Sequence, residues 1–308
     1  VFPRTPDVPG EVVDTLSRIP LFTGRRLDDV VIERLGGLTN RNYKLTLGDD
    51  RYVLRLAGAG TDRYIDRAAE LHNARGAAAI GIAPEIVHAD PATGLLLTRF
   101  ISGGVVLDEK RLQQPDALRA TAATLKRLHA SGADFHGRME LFRKLDDYLA
   151  LAGAAVVPLF RETRAKAEAV RAALLRHPAT LAPCHIDPVP HNFVMDSAGA
   201  IYLLDWEYSA MCEPVWDLAG LSIEAGLDAA AQDILLCTYY GAPTPRETAR
   251  FHLHKIALAL LAAAWAVVQL ADGNTSGDFS AMANDRLARC RTAMSAPAFA
   301  DQLGAASA

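Results

Sequence analysis

Cysteine is scarce and scattered. The 308-residue chain carries four, Cys184, Cys212, Cys237 and Cys290, and none sits in a CxxC pair. That excludes a disulfide framework and reads as reduced, core-type residues in a cytoplasmic setting. No charge of one sign dominates: 32 Lys and Arg stand against 36 Asp and Glu, for a net charge of −4. Nothing in that balance attracts a polyanion, so nucleic acid is excluded as a partner class. No apolar run reaches the roughly 20 residues that span a bilayer. The most hydrophobic stretch, IALALLAAAWAVVQLA at 256–271, is alanine-rich and reads as a helix buried in a protein core, so no membrane partner is expected. The opening VFPRTPDVPG has no apolar centre of signal-peptide length. Internal repeats and low-complexity linkers are also lacking.

Half of the residues are apolar, ample for one large or two coupled domains. The first third carries strand signals. DVVIERL leads into Gly36-Gly37, and NYKLTL and RYVLRL flank a turn-like GDD, which predicts a hairpin. The stretch TDRYIDRAAELHNARGAAAIG predicts a helix capped by Thr61 and ended by Gly81. EIVHAD and LLLTRFI read as two more strands. From about residue 105 helical periods take over: Leu118, Ala122, Leu125, Leu128 and His129 share one face, and two further helices are expected over 139–177. The predicted fold class is α+β and bilobal, with a sheet lobe at 1–100 and a helical lobe at 101–308.

The stretch CHIDPVPHNF at 184–193 interrupts the helical part. Pro188 and Pro190 suit neither a helix nor a central strand, so Asp187 and Asn192 sit on a stiff irregular loop. A short hairpin, FVMDSAGAIYLLD, follows, with Asp196-Ser197-Ala198-Gly199 as its turn. Pairing about a centre near 198.5 sets Asn192 opposite Asp205, with Cβ atoms roughly 5 Å apart. An amide oxygen and a carboxylate at that separation suit a shared Mg²⁺ with room left for phosphate oxygens. The spacing Asp-x-x-x-x-Asn is that of the kinase catalytic loop, where the Asp accepts the substrate hydroxyl's proton and the Asn holds metal. Asp187 is thus the candidate proton acceptor, and Asn192 and Asp205 are the candidate metal ligands. His185 beside them is a candidate catalytic-loop residue, better suited to buttressing the loop than to moving protons.

These stretches, with GGLTNRNY, YVLRLAG, GIAPEIV, LKRLHASG and LLDWEYSAMCEPVWDLA, resemble the choline/ethanolamine kinase family. The resemblance is to its bacterial choline-kinase type, within the aminoglycoside-phosphotransferase and protein-kinase-like group. It implies a protein-kinase-like fold that binds ATP and Mg²⁺ between two lobes. Gly36, Gly37, Thr39, Asn40 and Asn42 match the turn that covers the ATP phosphates. Arg55 matches the phosphate-binding strand position, with Glu70 as its helix partner, although a Glu on a helix face is usually solvated. Arg99 and Ile101, in TRFI, match the hinge whose backbone holds adenine. Asp217 suits a helix cap and matches a brace for the catalytic loop.

On the acceptor side, Glu224 matches a position facing the choline ammonium. Glu207 and Tyr208 fall near the same pocket, and Trp265 matches one aromatic of the cage or packs in the core. The animal-type family has a second Trp where this chain has Ala262, and a later cage Tyr is replaced within FSAMAND. The expected activity is γ-phosphate transfer to a small cationic alcohol, choline or ethanolamine first. An aminoglycoside or thiamine kinase of the same group is the alternative, and a catalytically inactive nucleotide-binding regulator is the alternative of a different class.

Overall fold

Alternation builds the first sheet. The computed structural model describes residues 10–26, 29–36, 40–58, 65–153, 157–275 and 277–308. Helix Gly10–Arg18 (α1) is followed by strands Val30–Arg34 (β1), Arg41–Leu47 (β2) and Asp50–Leu56 (β3) in an antiparallel meander. Tyr43 and Leu45 on β2, and Tyr52, Leu54 and Leu56 on β3, are buried at period two. The predicted hairpin turns through Gly48-Asp49, with Gly48 at φ +60°, the positive-φ conformation that short hairpin loops need. After helix Arg67–Ala79 (α2), strands Ile86–Asp90 (β4) and Leu95–Arg99 (β5) complete a five-stranded sheet of order β1-β2-β3-β5-β4. Val12, Leu16, Ile19 and Phe22 cover its inner face and form a core of their own with it.

The cap of α2 differs from expectation. Asp66 is the N-cap, and its carboxylate accepts from the N–H groups of Ala68 and Ala69 at 3.0 Å each. Thr61 lies outside the described residues. Asp66 wins because it stands directly before the first helical residue, where its oxygen reaches two orphan donors.

The second core is helical. It takes in Glu109–Leu112 (α3), Pro115–His129 (α4), Leu141–Ala152 (α5) and Val157–Arg176 (α6). Leu118, Ala122, Leu125 and Leu128 on α4 are buried as their spacing predicts. Val215–Glu224 (α7), Ala229–Tyr240 (α8), Pro245–Ala271 (α9), Phe279–Ser295 (α10) and Phe299–Ser307 (α11) complete the helical part. Helix α9 starts on a Thr244–Glu247 capping box and is apolar enough by composition to cross a membrane, but 72% of its most apolar window is buried inside the protein. Five short strands thread among these helices: Val105–Val106 (β6), Ala182–Cys184 (β7), Phe193–Met195 (β8), Ile201–Leu203 (β9) and Ala210–Cys212 (β10). β6, β8 and β9 form one sheet, and β7 pairs with β10.

Candidate active site

The loop between β7 and β8 is held from beneath by α7. Asp217, fully buried, accepts from the backbone N–H groups of His185 and Ile186 at 2.8 Å each, and pairs with His129 Nε2 at 3.0 Å. Trp216 Nε1 donates to Ile186 O at 2.9 Å. Ile186 stands at φ +74°, a left-handed conformation that a β-branched residue adopts only when its surroundings impose it. One turn further along α7, a Cβ at Gly220 would fall 2.8 Å from Pro188 Cγ, so only glycine lets the helix lie this close to the loop.

Asp187 and Asn192 meet across the loop. Asn192 Nδ2 donates to Asp187 O at 3.0 Å and to Asp187 Oδ2 at 3.3 Å, which leaves Oδ1 as its oxygen for a cation. A short 3-10 turn, Pro190–Asn192, sets that closure. His185 is fully buried, and its Nε2 donates to Leu204 O at 2.7 Å. It therefore ties the loop to the strand that leads to Asp205. With no exposure and its Nε2 committed to Leu204 O, the ring is fixed beneath the loop.

The hairpin register is one residue off the expected one. Phe193 pairs with Leu203 and Met195 with Ile201, and Leu204 N–H donates to Asn192 O at 2.8 Å, so Leu204, not Asp205, stands opposite Asn192. The cause is a turn shorter than the expected pairing needs. Asp196 N–H donates to Ala200 O at 2.9 Å, and Asp196 Oδ1 accepts from both Ala198 and Ala200 N–H at 2.9 Å, so the hairpin centres on Ala198. Asp205 lies beyond the paired strand at φ +61°, with its Oδ1 3.6 Å from Arg55 Nη1.

Arg55 and Glu70 do meet. Both are buried, with Arg55 Nη1 paired to Glu70 Oε1 and Nη2 donating to Glu70 Oε2 at 3.0 Å. Arg67, which the sequence reading missed, bridges outward: its Nη1 lies 2.8 Å from Glu70 and 3.0 Å from Glu207. Asn40 donates to Glu207 at 3.0 Å and accepts from Gly58 N–H at 3.3 Å. Glu207 thus links the sheet to the helical part. Buried Asn73 anchors α2 from the other side, through His136 N–H, His136 O and Ser209. An Arg three residues before a helical Glu was the one local sign of Arg67.

The remaining expected residues separate into groups. Asn42 Nδ2 donates to Gly36 O at 3.1 Å, whereas Gly37 and Thr39 lie outside the described residues. Arg99 points its half-exposed guanidinium at Asp50 and over the Tyr52 ring, so only its backbone is left for an adenine-holding hinge. Ile101 O accepts from Gly104 N–H at 3.1 Å in the turn that follows. Tyr208 is half-buried against the helical core. Trp265 is also half-buried and edge-packed on Phe279, with ring centroids 5.5 Å apart. Glu224 is paired with Arg286 of α10, a residue with no local signal in the sequence.

The phosphotransferase enzyme family matches residues 30–252 of this chain. The chain belongs to the phosphotransferase enzyme family. A solved choline/ethanolamine kinase family protein from Mesorhizobium loti is 38% identical, with a TM-score of 0.86 over 97% of this chain and 98% of that one. That identity, over nearly the whole length, places this phosphotransferase with the choline/ethanolamine kinases. Protein LicA of Haemophilus influenzae is 27% identical over 258 residues, 80% of this chain and 75% of that protein. A LicA structure solved with AMP is 26% identical, with a TM-score of 0.73 over 86% and 91% of the two chains. The bilobal, kinase-like α+β expectation holds, and the phosphotransferase is an enzyme.

Electrostatics of the candidate site converge on two carboxylates. Burial, then the charges of Glu224 and Glu207, push the Asp187 carboxyl up to about 6. Burial and Glu207 push Asp205 up to about 7, against the opposing pull of Arg55. Asp205 Oδ1 is buried and accepts no hydrogen bond. Ligand atoms of Glu70, Asp205 and Glu207 all lie within 4.8 Å of one another. An orphaned carboxylate oxygen among repelling carboxylates is a donor set that fits a hard divalent cation.

Proposed function

We propose that this chain transfers the γ-phosphate of ATP to the hydroxyl of a small amino alcohol of the choline and ethanolamine class. The observation that carries the reading is the braced loop. It holds Asp187 beside Asn192 and ties both, through His185 and Leu204, to the strand leading to Asp205. Asp187 accepts the hydroxyl proton as the oxygen attacks phosphorus. Its raised carboxyl is nearer the working pH than an ordinary Asp, which suits a general base. Asn192 and Asp205 would hold Mg²⁺, which when bound neutralises charge on the phosphate oxygens.

Arg55, fixed by Glu70, keeps a permanent positive charge toward the phosphates and next to Asp205. Residues 1–100 act as the nucleotide-binding lobe, with the turn at 36–42 over the phosphates and the backbone of 99–101 against adenine. Residues 101–308 carry the catalytic loop and the acceptor pocket, with Glu224, Trp265 and Tyr208 on its side. Dispersed free thiols suit a cytoplasmic enzyme. Because phosphoryl transfer depends on positioning more than on covalent chemistry, a stiff loop is the right scaffold.

The test is ADP release with product identification by phosphorus NMR, over a panel of ethanolamine, choline, thiamine and aminoglycosides. Asp187→Asn is expected to lower turnover by about 10²-fold or more while nucleotide binding, read by calorimetry, stays near wild type. Turnover by the variant at the wild-type rate would remove Asp187 from the role. Phosphorylation of aminoglycosides alone would move the acceptor assignment.

A further inference from the structure

The acceptor side of the loop contains a cation that belongs to the protein. Asp217, Gly220 and Glu224 lie three and four residues apart on α7 and so share one face. The first binds the loop backbone and the second packs on Pro188, so Glu224 continues the same line beyond the loop. Its charge reaches Asp187 and helps to raise that carboxyl. Arg286 comes from α10, two turns after Phe279, whose ring packs on Trp265. Arg286 Nη2 lies 2.9 Å from Glu224 Oε1 and 3.1 Å from Oε2. The Arg286 side chain is only 13% exposed, and that of Glu224 31%.

We propose that Arg286, through this pair, makes the pocket select an ammonium that still carries N–H groups over a quaternary one. The proposal rests on the amino-alcohol reading above and names which members of that class the site takes. A quaternary ammonium has no hydrogen to donate. It is held by net negative charge and by aromatic faces. Here the guanidinium offsets part of the charge of Glu224, and the position one turn before Trp265 is Ala262, so the apolar wall adds no second ring there. A primary ammonium has three donors, and a carboxylate offers about four lone-pair directions. Arg286 uses two contacts on Glu224, so N–H bonds to the same carboxylate remain open. The pair therefore weakens what a methylated head group depends on and keeps what an unmethylated one uses.

The experiment measures kcat/KM by ADP release for ethanolamine, N-methylethanolamine, N,N-dimethylethanolamine and choline. It uses the full chain as wild type, Arg286→Ala and Arg286→Lys. Wild type is expected to favour ethanolamine over choline by about tenfold or more, equivalent to ~1.4 kcal/mol. Arg286→Ala is expected to move that ratio toward choline by about tenfold, chiefly through KM, and Arg286→Lys to keep the wild-type order. A second variant, Glu224→Gln, guards against a misfolded Arg286→Ala. It is expected to cost ethanolamine more than choline, because it removes the charged acceptor of the N–H bonds. A wild-type preference for choline, or a ratio unchanged by Arg286→Ala in a protein with a normal melting curve, overturns the proposal and leaves the kinase reading intact. No ADP above background with any of the four alcohols overturns both.

Discussion

Asp217 Oδ1 lies 2.8 Å from the backbone nitrogen of Ile186, which stands at φ +74°. The bond explains how a β-branched residue is kept in a conformation that costs on the order of 1–3 kcal/mol. With the adjacent His185 N–H on the other oxygen, the carboxylate forces the chain to bend just before Asp187. The bend aims Asp187 across the loop, to where Asn192 closes on it. Burial would raise the Asp217 carboxyl, but His129 and the loop donors hold it below the ordinary carboxylate value, so it is charged and accepting throughout the neutral range.

Asp217→Ala leaves two buried N–H groups and the His129 ring without their partner. The expected loss of stability is about 3–5 kcal/mol, the cost of breaking a buried charged network. Asp217→Asn keeps one acceptor and should lose less. Urea unfolding measures both. In the Asn variant kcat should fall more than the KM for ATP rises, because the loop and not the nucleotide contacts is disturbed. Wild-type kcat in both variants would show that Ile186 is positioned without this bond.

The Asp187 carboxyl of the nucleotide-free protein should titrate near pH 6, set by burial and then by Glu224 and Glu207. Glu224→Gln removes one like charge and leaves Arg286 in place. Both changes favour the carboxylate, so the midpoint should move down. Carbon-13 NMR of the carboxyl groups, assigned by difference with Asp187→Asn, checks the value and the direction. An upward or absent shift in Glu224→Gln would place Glu224 too far from Asp187 to matter.

Glu213 provides a separate acid-stability test away from the site. Burial pushes its carboxyl up, but His254 at 3.4 Å and Arg250, whose Nε donates at 2.7 Å, outweigh burial and hold it below the ordinary 4.5. A folded-state value below the unfolded one means that its stabilisation is present above about pH 4.5 and is lost as pH falls through the folded value. Urea midpoints measured from pH 3 to 7 should therefore fall more gently on the acid side in Glu213→Gln than in wild type. An unchanged acid limb would show that other carboxylates govern it.

Local features were legible in the sequence because their causes are local. The β2–β3 hairpin followed from period-two alternation about a glycine turn, and α4 from its buried stripe. The order Asp187, Asn192, Asp205 could be read because two prolines and a short hairpin fix it. The one-residue register error had a local cause too: the Asp196 side chain bonds two backbone groups of its own turn, and alternation cannot register that bond. Likewise Asp66 displaced Thr61 by standing one residue before the helix.

The long-range pairs were not legible. Glu207 meets Arg67 140 residues away and Asn40 167 residues away, and Arg286 meets Glu224 across 62. No periodicity marks such partners, because each lies on a face whose neighbour is chosen by how separate elements pack.

The sequence by itself determined the fold class, the family and the order of the candidate site residues, since residue type, short spacing and turn chemistry act along the chain. Only the tertiary structure decided which carboxylate oxygens lack a hydrogen bond and which receive one from a cation. Asp205 Oδ1 is left without a hydrogen bond, whereas Glu224 is covered by Arg286. Charge balance inside a site depends on distance and burial, and both are set only when sheet and helices pack.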